Sequence, residues 1–179
     1  MRWIWIDRIT EFERGVRAVA IKNITAAEDV LHDHFPARAA LPAAGPLPPR
    51  PARPPMPLMP HPLDIEGMAQ TAGILVGHAN DFREKVILAK IAKASFTATA
   101  GPGTTLRYTA SIERLDDSGA STAGTVDRLD PLTGHATPMA HIELMFSHID
   151  QNRAGTVFPE HNFVFGPQFR ELLDRSGIT

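Results

Sequence analysis

The chain has no cysteine among its 179 residues, which excludes disulfide staples, thiolate nucleophiles and thiolate metal sites together. It also lacks charge of one sign: the formal net charge is −2 with histidine neutral, and no run of Lys or Arg exceeds two residues. A protein that tracks a nucleic-acid backbone needs a basic stripe, so that class is set aside. The opening stretch, MRWIWIDRITEFERG, mixes aromatic and aliphatic residues with Asp7, Glu11 and Glu13, and reads as neither a signal peptide nor a membrane span. The expectation is a cytoplasmic protein with no nucleic-acid or membrane partner.

What is present suits one globular domain over residues 1–179, because a chain of this length can bury a core unaided by metal or crosslinks. Within it, residues 37–58 read as a Pro-rich insertion and residues 151–179 as a C-terminal extension. Residues 1–36 read as a short first strand or helix, a strand around Val16–Ile24, and a polar turn at Thr25–Asp29. The window ARAALPAAGPLPPRPARPPMPLMPHP (37–62) holds most of the chain's 16 prolines. Each removes a donor and fixes φ, so a regular helix or a central strand is forbidden there. An extended, polyproline-like excursion or a mobile loop is expected, and loops of this length are either functional or disordered.

The segment PLDIEGMAQTAGILVGHA (62–79) predicts a helix, with Pro62 in the first helical position and Asp64 complementing the positive end of the dipole. Ile65, Met68, Ala69, Ala72, Ile74, Leu75 and Val76 leave little polar face, so it should be buried nearly all round. Gly67, Gly73 and Gly77 each weaken a helix by about 1 kcal/mol relative to alanine, and close approach of neighbouring backbone is the expected compensation. Downstream the pattern is strand. Leu106, Tyr108, Ala110 and Ile112 alternate with polar residues over Thr105–Leu115, and Asp116–Gly119 is a turn. A strand follows at Ala120–Asp127, then a turn at Asp130–Gly134, then a strand presenting Ala140, Ile142, Leu144 and Phe146 on one face. Gly166–Ser176 reads as a short amphipathic helix using Phe169, Leu172 and Leu173. An antiparallel meander curled around one buried helix is the economical α+β arrangement.

Two segments carry chemistry. His32-Asp33-His34-Phe35-Pro36 ends a polar turn with an imidazole. Pro60-His61-Pro62-Leu63-Asp64-Ile65-Glu66-Gly67-Met68-Ala69-Gln70 sets a carboxylate, Glu66, in the first turns of an otherwise apolar helix. Burial raises the pKa of such a group while the helix N-terminus opposes the shift. An imidazole facing it makes a pair able to hold and exchange protons near neutral pH. His-x-His at 32 and 34 has chelating spacing, but no third and fourth ligand stands at a recognisable distance, so no metal is expected. His135 and His141 suit a solvated or interface face, and Met56, Met59 and Met68 suit a core or an acyl tunnel.

These segments resemble the FabZ/FabA-type β-hydroxyacyl-acyl-carrier-protein dehydratases. That family's signature is His-Phe-Pro, then Pro-Gly, then a helix carrying Glu-Ala-x-Ala-Gln; here these are His34-Phe35-Pro36, Pro60-His61 and Glu66-Gly67-Met68-Ala69-Gln70. Ile6-Asp7-Arg8-Ile9 with Ala20–Ile24 resembles its opening strand pair, and Lys93-Ala94-Ser95-Phe96 with Gly101-Pro102-Gly103 its third-strand region. The resemblance spans about residues 4–150. It implies a hotdog fold, a curved antiparallel sheet wrapped around one central helix, dimeric at minimum, with a trimer of dimers as the larger assembly left open. It implies a β-hydroxyacyl thioester substrate on the phosphopantetheine of an acyl carrier protein or of CoA, in fatty-acid or polyketide-type synthesis, and no cofactor. His34 of one subunit would take the α proton and Glu66 of the other would serve the departing hydroxyl. The backbone N–H of His61 would polarise the thioester carbonyl, as helix N-termini do for developing negative charge. Pro60, Phe35 and Gln70 would complete the substrate-binding set.

This sequence departs from that pattern where His61 replaces glycine, where His34 and Glu66 stand 32 positions apart across the insertion, and where a basic Phe-Arg-Arg-Pro segment gives way to Ala92, Ser95, Thr97 and Ala98. Arg38, Arg50 and Arg53 are candidate substitutes for the missing basic groups. The competing structural readings are a capping His34, a dipole-paired Glu66 and a turn-ending His61. The competing functions are a hotdog thioesterase with Glu66 activating water, and a non-catalytic acyl-binding or scaffolding subunit.

Overall fold

The computed structural model describes residues 3–33, 37–52, 55–149, 159 and 162–178. Strands β1 (Arg8–Glu13) and β2 (Arg17–Asn23) form a hairpin, and its turn holds Gly15 at φ 70°. A one-turn helix α1 (Asp29–Asp33) ends directly before His34. Then come the long helix α2 (His61–Ala79), strands β3 (Val86–Phe96), β4 (Thr105–Asp116), β5 (Gly119–Leu129) and β6 (Ala136–His148), and a C-terminal helix α3 (Pro167–Ser176). The six strands make one antiparallel sheet in the order β1-β2-β4-β5-β6-β3. Helix α2 lies against strands β2 to β6. This is the sheet-around-a-helix arrangement expected from the motifs.

Alternation decided the two strands where it was cleanest. Leu106, Tyr108 and Ala110 of β4, and Ile142, Leu144 and Phe146 of β6, are buried against α2. Ile112, on the same β4 face, is half-buried against the core, and the alternation ends just after it at a bulge between Ile112 and Arg114. Strand β3 is the exception to burial: Ile87 through Ser95 are exposed along the whole of this sheet edge.

Helix α2 starts at His61, one residue before the predicted start, with Pro60 as N-cap. Its glycines are compensated differently from expectation. A Cβ on Gly67 would stand 2.3 Å from the ring of Tyr108, and one on Gly77 would stand 2.5 Å from Phe165 and 2.9 Å from Phe82. Aromatic side chains, not neighbouring backbone, fill the space. Gly73 meets nothing closer than 3.5 Å, so packing does not demand glycine there.

The Pro-rich stretch leaves the sheet as an exposed excursion that folds back on itself through two isolated bridges, Leu41 with Arg50 and Ala44 with Leu47. Composition indicated the extension but not this return. At the other end, α3 buries Leu172 and Leu173, closes on Gly177 in the left-handed conformation, and lies against β1. The backbone N–H of Ile9 donates to Ser176 Oγ at 3.1 Å. None of the described helices is long and apolar enough to cross a membrane.

Candidate active site

Glu66 lies in the second turn of α2, on the helix face it shares with Ala69, Gln70 and Gly73 by the i, i+3, i+4, i+7 rule. Its Oε1 accepts two N–H groups: Gln70 Nε2 at 2.8 Å and the indole Nε1 of Trp3 at 2.9 Å. The Gln70 carbonyl oxygen accepts the backbone N–H groups of Trp5 at 2.8 Å and Ile6 at 3.4 Å, and its amide also donates to the Trp3 carbonyl at 3.3 Å. Gln70 therefore pins the N-terminal segment to the helix, and that segment delivers the Trp3 indole to the carboxylate. Among the described residues nothing donates to Oε2.

Towards the helix start, the backbone N–H of His61 is one of the donors that an α-helix leaves unpaired, and Pro62 has none to offer. The His61 ring stacks on Phe96 of β3, with centroids 4.0 Å apart and planes inclined at 18°. Its Nδ1 lies 3.2 Å from Asp64 Oδ2. Asp64 stands in the first turn, as expected for a carboxylate that complements the helix dipole, and it is fully buried there. Its Oδ1 has no hydrogen-bond partner. Burial pushes the Asp64 carboxyl up to about 6, against the opposing bond and charge of His61. Beneath this turn Tyr108 points from β4 at Gly67. Its Oη and the Trp5 Nε1 are both buried without a well-formed hydrogen bond. Burial, with the Asp64 charge added, drives the Tyr108 hydroxyl far above its usual range.

A groove of about 170 Å³ runs along the α2 face from Glu66 and Gln70 to Ile74, walled by Leu88, Phe146, Phe165 and Phe169. It is polar at the carboxylate end and apolar beyond. Among the described residues no group of three or more His, Asp or Glu is placed to hold a metal.

No family model matches the chain. A 3-hydroxyacyl-acyl-carrier-protein dehydratase FabZ from Solibacter usitatus is 33% identical over 162 residues, 88% of this chain and 83% of the relative. Another from Caldanaerobacter subterraneus subsp. tengcongensis is 34% identical over 114 residues, 63% of this chain and 68% of the relative. The chain belongs to the FabZ dehydratase family. In fold it is similar to an acyl-CoA hydrolase from Staphylococcus aureus solved with butyryl coenzyme A, coenzyme A and coenzyme A disulfide. There the TM-score is 0.53 at 15% identity, over 89% of this chain and 85% of that one, so the fold alone is shared.

Against the FabZ pattern, the structure brings Glu66 and Gln70 into direct contact and sets Pro60 and His61 at the start of the same helix. His34 and Phe35 lie outside the described residues, as does Arg53. Arg38 donates to the Pro51 carbonyl at 3.2 Å, within the insertion. Where the family motif has alanine after its glutamate, Gly67 stands here, and the Tyr108 ring occupies the space that a methyl group would need. Sequence reasoning missed Trp3, Tyr108 and the burial of Asp64. Only Asp64 offered a signal: it sits three residues after His61 on a helix with almost no polar face. Trp3 had none, being 63 positions from Glu66.

Proposed function

We propose that this chain catalyses the reversible dehydration of a β-hydroxyacyl thioester to the trans-2-enoyl thioester. The observation that carries the reading is the Glu66 carboxyl at the polar end of an apolar groove, held through Oε1 by two N–H donors. In the forward direction His34 removes the α proton and the electron pair forms the C=C bond. The β C–O bond breaks, and Glu66 gives its proton to the leaving oxygen to release water. The proton taken by His34 and the one lost by Glu66 then restore the starting state. In this scheme the backbone N–H of His61, at the positive end of α2, polarises the thioester oxygen as negative charge grows on it. No diffusible cofactor enters this scheme. The substrate is an acyl chain on phosphopantetheine, of an acyl carrier protein or of CoA, in a cytoplasmic setting.

The working unit in this reading is a homodimer, so that His34 of one copy meets Glu66 of the other. What supports it is the edge of β3, where Ile87, Leu88 and Ile91 are exposed on an 11-residue strand with no neighbour on that side among the described residues. A long edge strand that exposes apolar side chains invites pairing with another strand.

The test is hydration of 2-enoyl thioesters on both CoA and acyl carrier protein, following loss of the enoyl absorbance and release of free thiol. Hydration that disappears in His34→Ala and in Glu66→Gln supports the scheme. Free thiol without hydration replaces it with hydrolysis, and silence on both carriers leaves an acyl-binding subunit.

A further inference from the structure

The far end of the groove is closed by the C-terminal tail, which lies beyond the reach of the family motifs. On the other side of the same wall is a second cavity of about 390 Å³, with Phe82, Leu173 and Ile178 on its apolar side and Asp81, Asn162, Arg170 and Asp174 at its polar rim. Phe165 and Phe169 border both spaces, so these two rings are the partition between them. They are not equivalent. Phe165 is buried, with its ring tip against Gly77 and its ring 4.8 Å from that of Phe82. The backbone N–H groups of Val164 and Phe165 are both tied to Asn162 Oδ1, at 3.1 and 3.2 Å. It is a fixed wall. Phe169 is half-buried in the first turn of α3 and meets Phe165 edge-on at 5.9 Å. It packs against the edge of the core, without the hydrogen-bonded brace that fixes Phe165.

We propose that Phe169 is the stop of the acyl groove and makes this protein selective for acyl chains of medium length. The inference rests on reading the Glu66 groove as the acyl site. With the β-carbon at Glu66, the tail runs over Gly73 and Ile74 and ends on the Phe169 ring. A space of about 170 Å³ is close to the roughly 150 Å³ apolar cavity that accommodates benzene, so about six carbons fit beyond the β-carbon. Longer tails meet the ring. The chamber behind it has room for more methylenes beside Phe82, Leu173 and Ile178, and Phe169 is the half-buried ring of the two that stand between.

The experiment measures kcat/KM for enoyl thioesters from four to fourteen carbons, alongside the melting midpoint, in wild type, Phe169→Ala and Phe169→Trp. In wild type the profile should fall steeply for chains that extend about six carbons past the β-carbon. Phe169→Ala should move that limit upward, with a gain of about fourfold per additional methylene taken into the chamber. Phe169→Trp should move it downward. Adding Ile178→Trp to Phe169→Ala fills the rear chamber without touching the Glu66 groove, and should return the limit towards wild type. A length profile that Phe169→Ala and Phe169→Trp both leave unmoved, in proteins that still melt cooperatively and turn over short chains, overturns the proposal. If Phe169→Ala does not fold, Phe169→Trp and Phe169→Leu decide by the same shift. Absence of hydration at every length in wild type instead removes the dehydratase reading on which this rests.

Discussion

The two ends of helix α2 are packed in different ways. The first three turns bury polar groups that are incompletely matched: Asp64 Oδ1, Tyr108 Oη and Trp5 Nε1 lack well-formed partners. The last turns are closed by aromatic rings, with Phe82 and Phe165 against Gly77 and Phe12 edge-on to His78 at 4.8 Å, and leave one such atom of their own, His78 Nδ1. An unpaired buried polar atom costs about 1–3 kcal/mol, whereas aromatic pairs add about 0.5–1.5 kcal/mol beyond the area they bury. The C-terminal half of the helix thus supports the fold, and the N-terminal half draws on that support to keep polar atoms dry around Glu66. Stability and proposed chemistry share one helix but occupy different turns.

The contrast is broken most severely at Glu66. Glu66→Gln keeps the shape and both neighbouring residues but cannot supply a proton, so turnover should fall by about 10²–10⁴-fold. An unchanged melting midpoint measured beside the assay would place that loss in the chemistry. Next is the Asp64 carboxyl, whose pKa in the folded chain is raised from 3.8 to about 6. A raised carboxyl makes the folded state bind its proton more tightly than the unfolded chain does. Its contribution is therefore complete below pH 4 and is lost as pH rises through 6, on the order of 3 kcal/mol in all. Chemical denaturation from pH 4 to 7 should show this decline in wild type and not in Asp64→Asn. The exposed carboxylates Asp116 and Asp130 are held below their usual range by hydrogen bonds within their turns, so they act in the opposite sense and below that window.

Smaller effects sharpen the same comparison. Gly77→Ala and Gly67→Ala each add a methyl group where a ring already stands. Overpacking of this kind costs about 1–3 kcal/mol, against about 1 kcal/mol gained in helix propensity. Both variants should melt lower than wild type, while Gly73→Ala, with open space, should melt slightly higher. Activity then separates the two ends. Gly67→Ala should also reduce turnover, because it pushes on Tyr108 under the Glu66 turn, whereas Gly77→Ala should leave turnover of short chains near wild type. The least change is expected from Trp3→Phe, which removes one of the two N–H donors to Glu66 Oε1. A loss of about 1 kcal/mol corresponds to roughly a fivefold drop in kcat, read without a change in melting midpoint, since Trp3 is half exposed.

Local pattern was enough to place β2, α2, β4, β5, β6 and α3, because period two and period 3.6 in apolar residues report which face is buried wherever one face is. It was also enough to set Glu66 and Gln70 one turn apart on a single helix face. It was insufficient for β3, whose VILAKIAKASF shows no alternation and stays exposed from Ile87 to Ser95, with only its ends drawn into the described packing. Nor does pattern reveal which ring fills the notch at Gly67, that a tryptophan 63 positions away reaches Glu66, or that Asp64 turns inward to His61. Those contacts join residues distant in the chain or depend on which way a helix is rotated against its sheet. Only the packed fold settles them, since neither spacing nor propensity carries information about the atoms on the other side.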